Sequence, residues 1–143
     1  MESAFCKRCN EIKLYSSFCN NCHFDVASLC AQGWQVGEAR EQITWNLYLR
    51  EPPGGGECVV YNKQWQVFDD DSLEEAQALS SYGYPAWKVE GAELHTIQPT
   101  QGDVVLFNTR NFHEVRPSHG ERMRLSLTTF FGRLASGEVV FWS

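Results

Sequence analysis

From Gln42 to the C-terminus, apolar and polar residues alternate in short runs broken by glycine and proline. This pattern constrains the chain most. Successive side chains on an extended strand point to opposite faces, so such runs fold as strands with one face buried. The run "ITWNLYLR", Ile43 to Arg50, places the polar-capable Thr44, Asn46 and Tyr48 on one face. "ECVVY", "ELHTIQ", "DVVLF", "RMRLSLTTFFG" (Arg122 to Gly132) and "EVVFW" follow as further strands. Pro52 to Gly56 and Pro99 to Gly102 read as turns. Ser72, three residues before Glu75, forms a capping box that opens one short helix. Many short strands with turn signals between them imply an antiparallel sandwich or barrel whose long loops carry function. The stretch from Tyr61 to Tyr84 is long for a compact barrel and fits a lid or substrate-binding segment.

The 143 residues make one domain by length. Nine Phe, five Trp and five Tyr supply a substantial core, to which Trp34, Trp45, Trp65 and Trp87 are assigned by base rate. The formal net charge is −6 with no basic tract, which argues against a nucleic-acid partner. No apolar run approaches a membrane span, and the N-terminus lacks the basic-then-apolar pattern of a signal peptide. The expectation is a soluble, cytoplasmic protein. Its six cysteines would then stay reduced and be available to metals rather than pair as disulfides.

His23-x-Asp25 supplies an imidazole and a carboxylate two residues apart, which on an extended chain point the same way. A second histidine, brought alongside on a strand, would complete a two-histidine, one-carboxylate set for Fe(II). That set leaves the opposite positions open for a chelating cosubstrate and oxygen. His113, in "NTRNFHEVRP", is the histidine at a strand edge; His95 and His119 are the alternatives. Arg122 follows nine positions after His113, where a planar fork can pair both oxygens of a carboxylate. Ser126 shares the strand face of Arg122, and Ser126 and Tyr48 can each add a hydroxyl donor.

"HFDVASLCAQGW", "ITWNLYLREPPGGGECVVYNKQW" and "GDVVLFNTRNFHEVRPSHGERMRLSLTTFFG" resemble the 2-oxoglutarate/Fe(II)-dependent oxygenases, in their prolyl-4-hydroxylase-like branch. The bacterial small-molecule hydroxylases and halogenases look closest. The resemblance implies an all-β, double-stranded β-helix (jelly-roll) barrel over residues 23–143. It implies Fe(II) on His23, Asp25 and His113, and 2-oxoglutarate held by Arg122, Tyr48 and Ser126. The reaction implied is hydroxylation of a small molecule with release of succinate and CO2. Halogenating members carry a small residue where this chain has Asp25, so Asp25 points to hydroxylation. Only 22 residues precede His23, fewer than the family places there. A barrel shortened in this way would expose an edge and part of its apolar face.

Residues 1–22 carry a second pattern. Cys6-x-x-Cys9 and Cys19-x-x-Cys22 resemble a short zinc ribbon, in which four thiolates hold a structural Zn(II). Asn10 and His23 stand where such knuckles usually carry glycine. The rival reading is therefore a zinc-bearing interaction module on an inactive barrel. Imidazole and carboxylate suit iron whereas thiolates select zinc, so the two sites would separate chemically.

Overall fold

The computed structural model describes residues 5–6, 11–12, 22–66, 84 and 86–143. The helix expected from Ser72 and most of the lid expected before Tyr84 lie outside them. At the N-terminus β1 (Phe5–Cys6) and β2 (Glu11–Ile12) form a two-stranded antiparallel ladder. A one-turn helix, α1 (Ala27–Cys30), and a 3-10 turn at Gln35–Glu38 lead into the barrel.

The longest strand, β3 (Glu41–Arg50), organises the larger sheet. After it come β4 (Gly54–Gly55), β5 (Cys58–Gln64), β6 (Leu94–Ile97), β7 (Val104–Asn108) and β8 (Asn111–Val115). The chain closes with β9 (Ser118–His119), β10 (Leu125–Arg133) and β11 (Val139–Trp142). One sheet has the order β11-β10-β3-β7, the other β6-β5-β8, and β4 pairs with β9 in a separate two-stranded ladder. These are the two sheets of a jelly roll that does not close. The "PPGGG" turn works because Gly55 has φ 72° and a Cβ there would meet the Pro117 carbonyl. Only glycine lets β4 approach β9 so closely.

Cross-strand partners share a face, so the register separates two very different surfaces on the larger sheet. Ser126 pairs with Tyr48, Thr128 with Asn46, and Phe130 with Thr44, which in turn faces Phe107. This polar-rich face looks at the smaller sheet: Phe107 meets the His113 ring on β8 at 4.9 Å between centroids. The other face is apolar. Leu127, Leu47 and Val104 form one row; Thr129, Trp45 and Leu106 the next; Phe141, Phe131, Ile43 and Asn108 a third. Among the described residues this outer face is largely bare, with Leu106 54 %, Leu127 52 % and Phe141 69 % exposed.

The core sits beside the smaller sheet, where Cys22, Phe24, Trp65, Val89 and Phe112 pack together. Phe24 stacks on Trp65 at 4.8 Å and meets Phe112 edge-on at 5.8 Å. Trp34 and Trp87 are exposed, against the assignment to the core. Trp34 precedes the 3-10 turn and Trp87 lies within another, Ala86–Val89, so neither is on a strand with an inward face.

Candidate metal and cosubstrate site

His23 and His113 are joined by an isolated antiparallel bridge on the side of β8 that β5 leaves free. Each backbone N–H donates to the other's carbonyl at 2.8 Å. This doubly bonded pair sets their rings 4.2 Å apart, centroid to centroid. Asp25, two residues on, is fixed separately. Its N–H donates to the Thr109 carbonyl at 2.9 Å, and its own carbonyl accepts the Thr109 hydroxyl at 2.7 Å. Thr109 is fully buried in the turn between β7 and β8. That turn therefore positions Asp25 and starts the strand that carries His113.

The result is convergence. One donor atom each from His23, Asp25 and His113 lies within 4.8 Å of the others, and His113 Nε2 is 3.5 Å from Asp25 Oδ2. His113 Nδ1 lies 2.9 Å from the Asn111 carbonyl, to which it can only donate, so Nε2 keeps its lone pair for a cation. Two neutral imidazoles and a carboxylate suit Fe(II), and a face of three ligands leaves the opposite positions open. The residues present fit the metal. His95 and His119, the alternative ligands, are exposed on β6 and β9.

The structure brings Tyr48 and Ser126 together as neighbours on the inner face. Arg122 is not with them. The strand begins at Leu125 rather than Arg122, after a bend, and leaves the Arg122 side chain exposed. Arg124, immediately before β10, has its guanidinium 5.2 Å from the centre of the Tyr48 ring and 3.4 Å from the Gly56 carbonyl. Tyr48 is fully buried and hydrogen-bonds Cys58 of the facing sheet. Burial is the main reason the Tyr48 hydroxyl is held above its ordinary range; the nearby Cys58 adds to this and Arg124 opposes it. Burial likewise pushes the Cys58 thiol up to about 11, against the pull of Arg124 and the Tyr48 hydrogen bond. Asn46 and Thr128 line the same face, the Thr128 hydroxyl donating to Asn46 Oδ1 at 2.7 Å.

Of the four zinc-pattern cysteines, Cys9 and Cys19 lie outside the described residues and Cys6 belongs to β1. Cys22 faces the aromatic core, away from His23. Burial pushes its thiol up to about 12, with Glu114 adding and Lys63 opposing. A neutral thiol in an apolar cluster is a poor start for thiolate ligation.

Comparison with known proteins agrees with this geometry. Residues 11–132 match the model of the 2OG-Fe(II) oxygenase superfamily. The chain is 36% identical over 128 residues to the leucinostatins biosynthesis cluster protein S of Purpureocillium lilacinum, covering 85% of this chain and 52% of that protein. It is 32% identical over 102 residues to the L-gamma-glutamyl-L-propargylglycine hydroxylase of Streptantibioticus cattleyicolor, covering 71% and 36% respectively. Among solved structures, an N-substituted L-amino acid dioxygenase from Burkholderia ambifaria superposes with a TM-score of 0.67 at 16% identity, over 90% of this chain and 51% of that one. The chain belongs to the 2OG-Fe(II) oxygenase superfamily. It spans about half the length, or less, of the relatives that it matches.

Proposed function

We propose that this chain is the catalytic barrel of an Fe(II)- and 2-oxoglutarate-dependent hydroxylase acting on an amino acid or a small amino-acid conjugate. The observation that carries the reading is the convergence of His23, Asp25 and His113 on one point. Bound iron would supply the activation of oxygen, with 2-oxoglutarate giving succinate and CO2 while a substrate C–H becomes C–OH. The chain's own groups do the rest. The Asn111 carbonyl holds the His113 ring in the tautomer that ligates. With the metal bound, Asp25 would supply the third protein ligand, in the position that a halide would otherwise need. The prolyl-4-hydroxylase-like branch, the start of the barrel at residue 23 and a cytoplasmic location belong to the same proposal. No described helix is long and apolar enough to cross a membrane.

For the cosubstrate's far carboxylate, the anchor proposed is Arg124 rather than Arg122. Its fork lies against Tyr48, and Arg124 immediately precedes the strand that carries Ser126. Tyr48 and Ser126 keep their roles as hydroxyl donors. The amino-acid class of substrate rests on the names of the Streptantibioticus and Burkholderia relatives.

The test is succinate formation by the purified chain with Fe(II), ascorbate, 2-oxoglutarate and a panel of free and γ-glutamyl amino acids. Turnover that is lost in His113→Ala supports the reading. Undiminished succinate from His113→Ala would overturn it.

A further inference from the structure

The turn after β3 buries an acid beside Arg124. Glu51 follows the last residue of β3, and the chain folds back so that its Oε2 lies 3.7 Å from where a Cβ on Gly56 would sit. Arg124 reaches the same glycine and donates to its carbonyl at 3.4 Å. Both carboxylate oxygens of Glu51 are buried, and among the described residues neither has a hydrogen-bond partner. The charged and titratable groups that act on Glu51 are Arg124, Asp103 immediately before β7, and the Tyr48 hydroxyl. Arg124 is the one cation among them. Burial holds the Glu51 carboxyl above its ordinary range; Arg124 opposes this and Asp103 adds to it.

We propose that Glu51 belongs to the cosubstrate site: it takes up a proton when 2-oxoglutarate binds and donates it, as a hydrogen bond, to the far carboxylate that Arg124 pairs. This role rests on the reading of Arg124 as the anchor. A buried carboxylate without hydrogen bonds is costly in its ionised form. Before the cosubstrate binds, Arg124 is its counter-charge. Once a second carboxylate engages the guanidinium, two anions share one cation, and the cheaper state gives one of them a proton. Glu51 is the one to take it. The incoming carboxylate has the paired N–H donors of the fork, whereas Glu51 has no donor at all. Protonated, Glu51 gains an O–H, and the cosubstrate brings the acceptor that its surroundings lack. The proton comes from solvent, and no covalent bond of the cosubstrate changes. Binding of 2-oxoglutarate is thereby linked to one proton.

The experiment is calorimetry of 2-oxoglutarate binding to the full chain, loaded anaerobically with Fe(II), in two buffers of different ionisation heat from about pH 6.5 to about 8.5. Wild type should take up close to one proton per 2-oxoglutarate, and its Kd should rise about tenfold per pH unit. Glu51→Gln keeps the shape and a donor but cannot titrate. Its uptake should fall close to zero, and its Kd should be flat with pH and tighter than wild type at the alkaline end. Asp103→Asn removes the other acid near Glu51 and should leave the uptake close to one. Equal uptake in wild type and Glu51→Gln overturns the proposal. So does wild-type uptake near zero, a result that needs no variant to fold. Undiminished binding by Arg124→Ala removes the anchor, and Glu51's role with it, while the hydroxylase reading stands. No binding by iron-loaded wild type overturns both.

Discussion

The Arg124 guanidinium rests 5.2 Å above the ring of a fully buried Tyr48, while Arg122, two residues earlier, points into solvent. A cation on an aromatic face at the end of a polar strand face is placed to meet an anion. Arg124→Ala should raise the KM for 2-oxoglutarate by roughly 30- to 4,000-fold. Truncating one side of a buried charge pair costs about 2–5 kcal/mol, and each 1.4 kcal/mol is a factor of ten. Arg122→Ala should change it less than about threefold, within the range of an exposed charge. Steady-state succinate assays of the two variants decide. Greater damage in Arg122→Ala would return the anchor to that residue.

Parity alone cannot separate the Arg122 expected from the sequence and the Arg124 proposed as the anchor. Arg122, Arg124 and Ser126 alternate alike, so a period of two cannot choose between them. The choice lies in the start of β10 at Leu125, the register shift between Leu125 and Ser126, and the pairing of Ser126 with Tyr48. None of these has a local signature. The strands themselves were legible because alternation and turn residues are local, and the common face of Thr44, Asn46 and Tyr48 followed from it. His23 and Asp25 were legible for the same reason. Thr109 was not: a hydroxyl that serves a backbone carbonyl 84 residues away leaves no spacing to read. Trp34 and Trp87 were misassigned because composition predicts how much core there is, not which side chains make it.

Thr109 should govern the metal through Asp25. Thr109→Val keeps the shape but removes the donor to the Asp25 carbonyl at 2.7 Å. The loss should be about 1 kcal/mol of stability and about tenfold in Fe(II) affinity. Thr109→Ser, which keeps the hydroxyl, should recover most of the affinity. Anaerobic Fe(II) titration with thermal unfolding of both variants measures this. Equal weakening in the two would show that Thr109 acts only by packing.

The stretch "FCNNCHFDV" should serve iron through His23 and Asp25, with Cys22 dispensable for it. Cys22 points into the aromatic cluster while His23 bridges to His113. Loaded anaerobically, Cys22→Ala should keep one Fe(II) per chain at somewhat lower stability. The double variant His23→Ala/Asp25→Ala should bind none, with its fold intact by far-UV spectrum. Metal analysis of the two proteins checks this. Loss of all metal in Cys22→Ala, with retention in the double variant, would give the stretch to zinc.

Stability should fall on the alkaline side. The thiols of Cys58 and Cys22 are raised by burial from 9.0 to about 11 and about 12. In the unfolded chain they ionise near 9.0, so above that pH the unfolded state holds fewer protons than the folded one. The slope of stability with pH is then negative. Their contribution is fully present below pH 9 and is lost progressively as pH rises through 9 toward 11 and beyond. Tyr48, raised from 10.0, extends the decline. Urea unfolding should therefore lose on the order of 3 kcal/mol between pH 8.5 and 10.5. Cys58→Ala should cut this loss to roughly half, because one of the two buried thiols that ionise on unfolding is gone while Cys22 remains. A wild-type stability constant across that window, or a Cys58→Ala slope equal to wild type, would mean that Cys58 does not ionise on unfolding there.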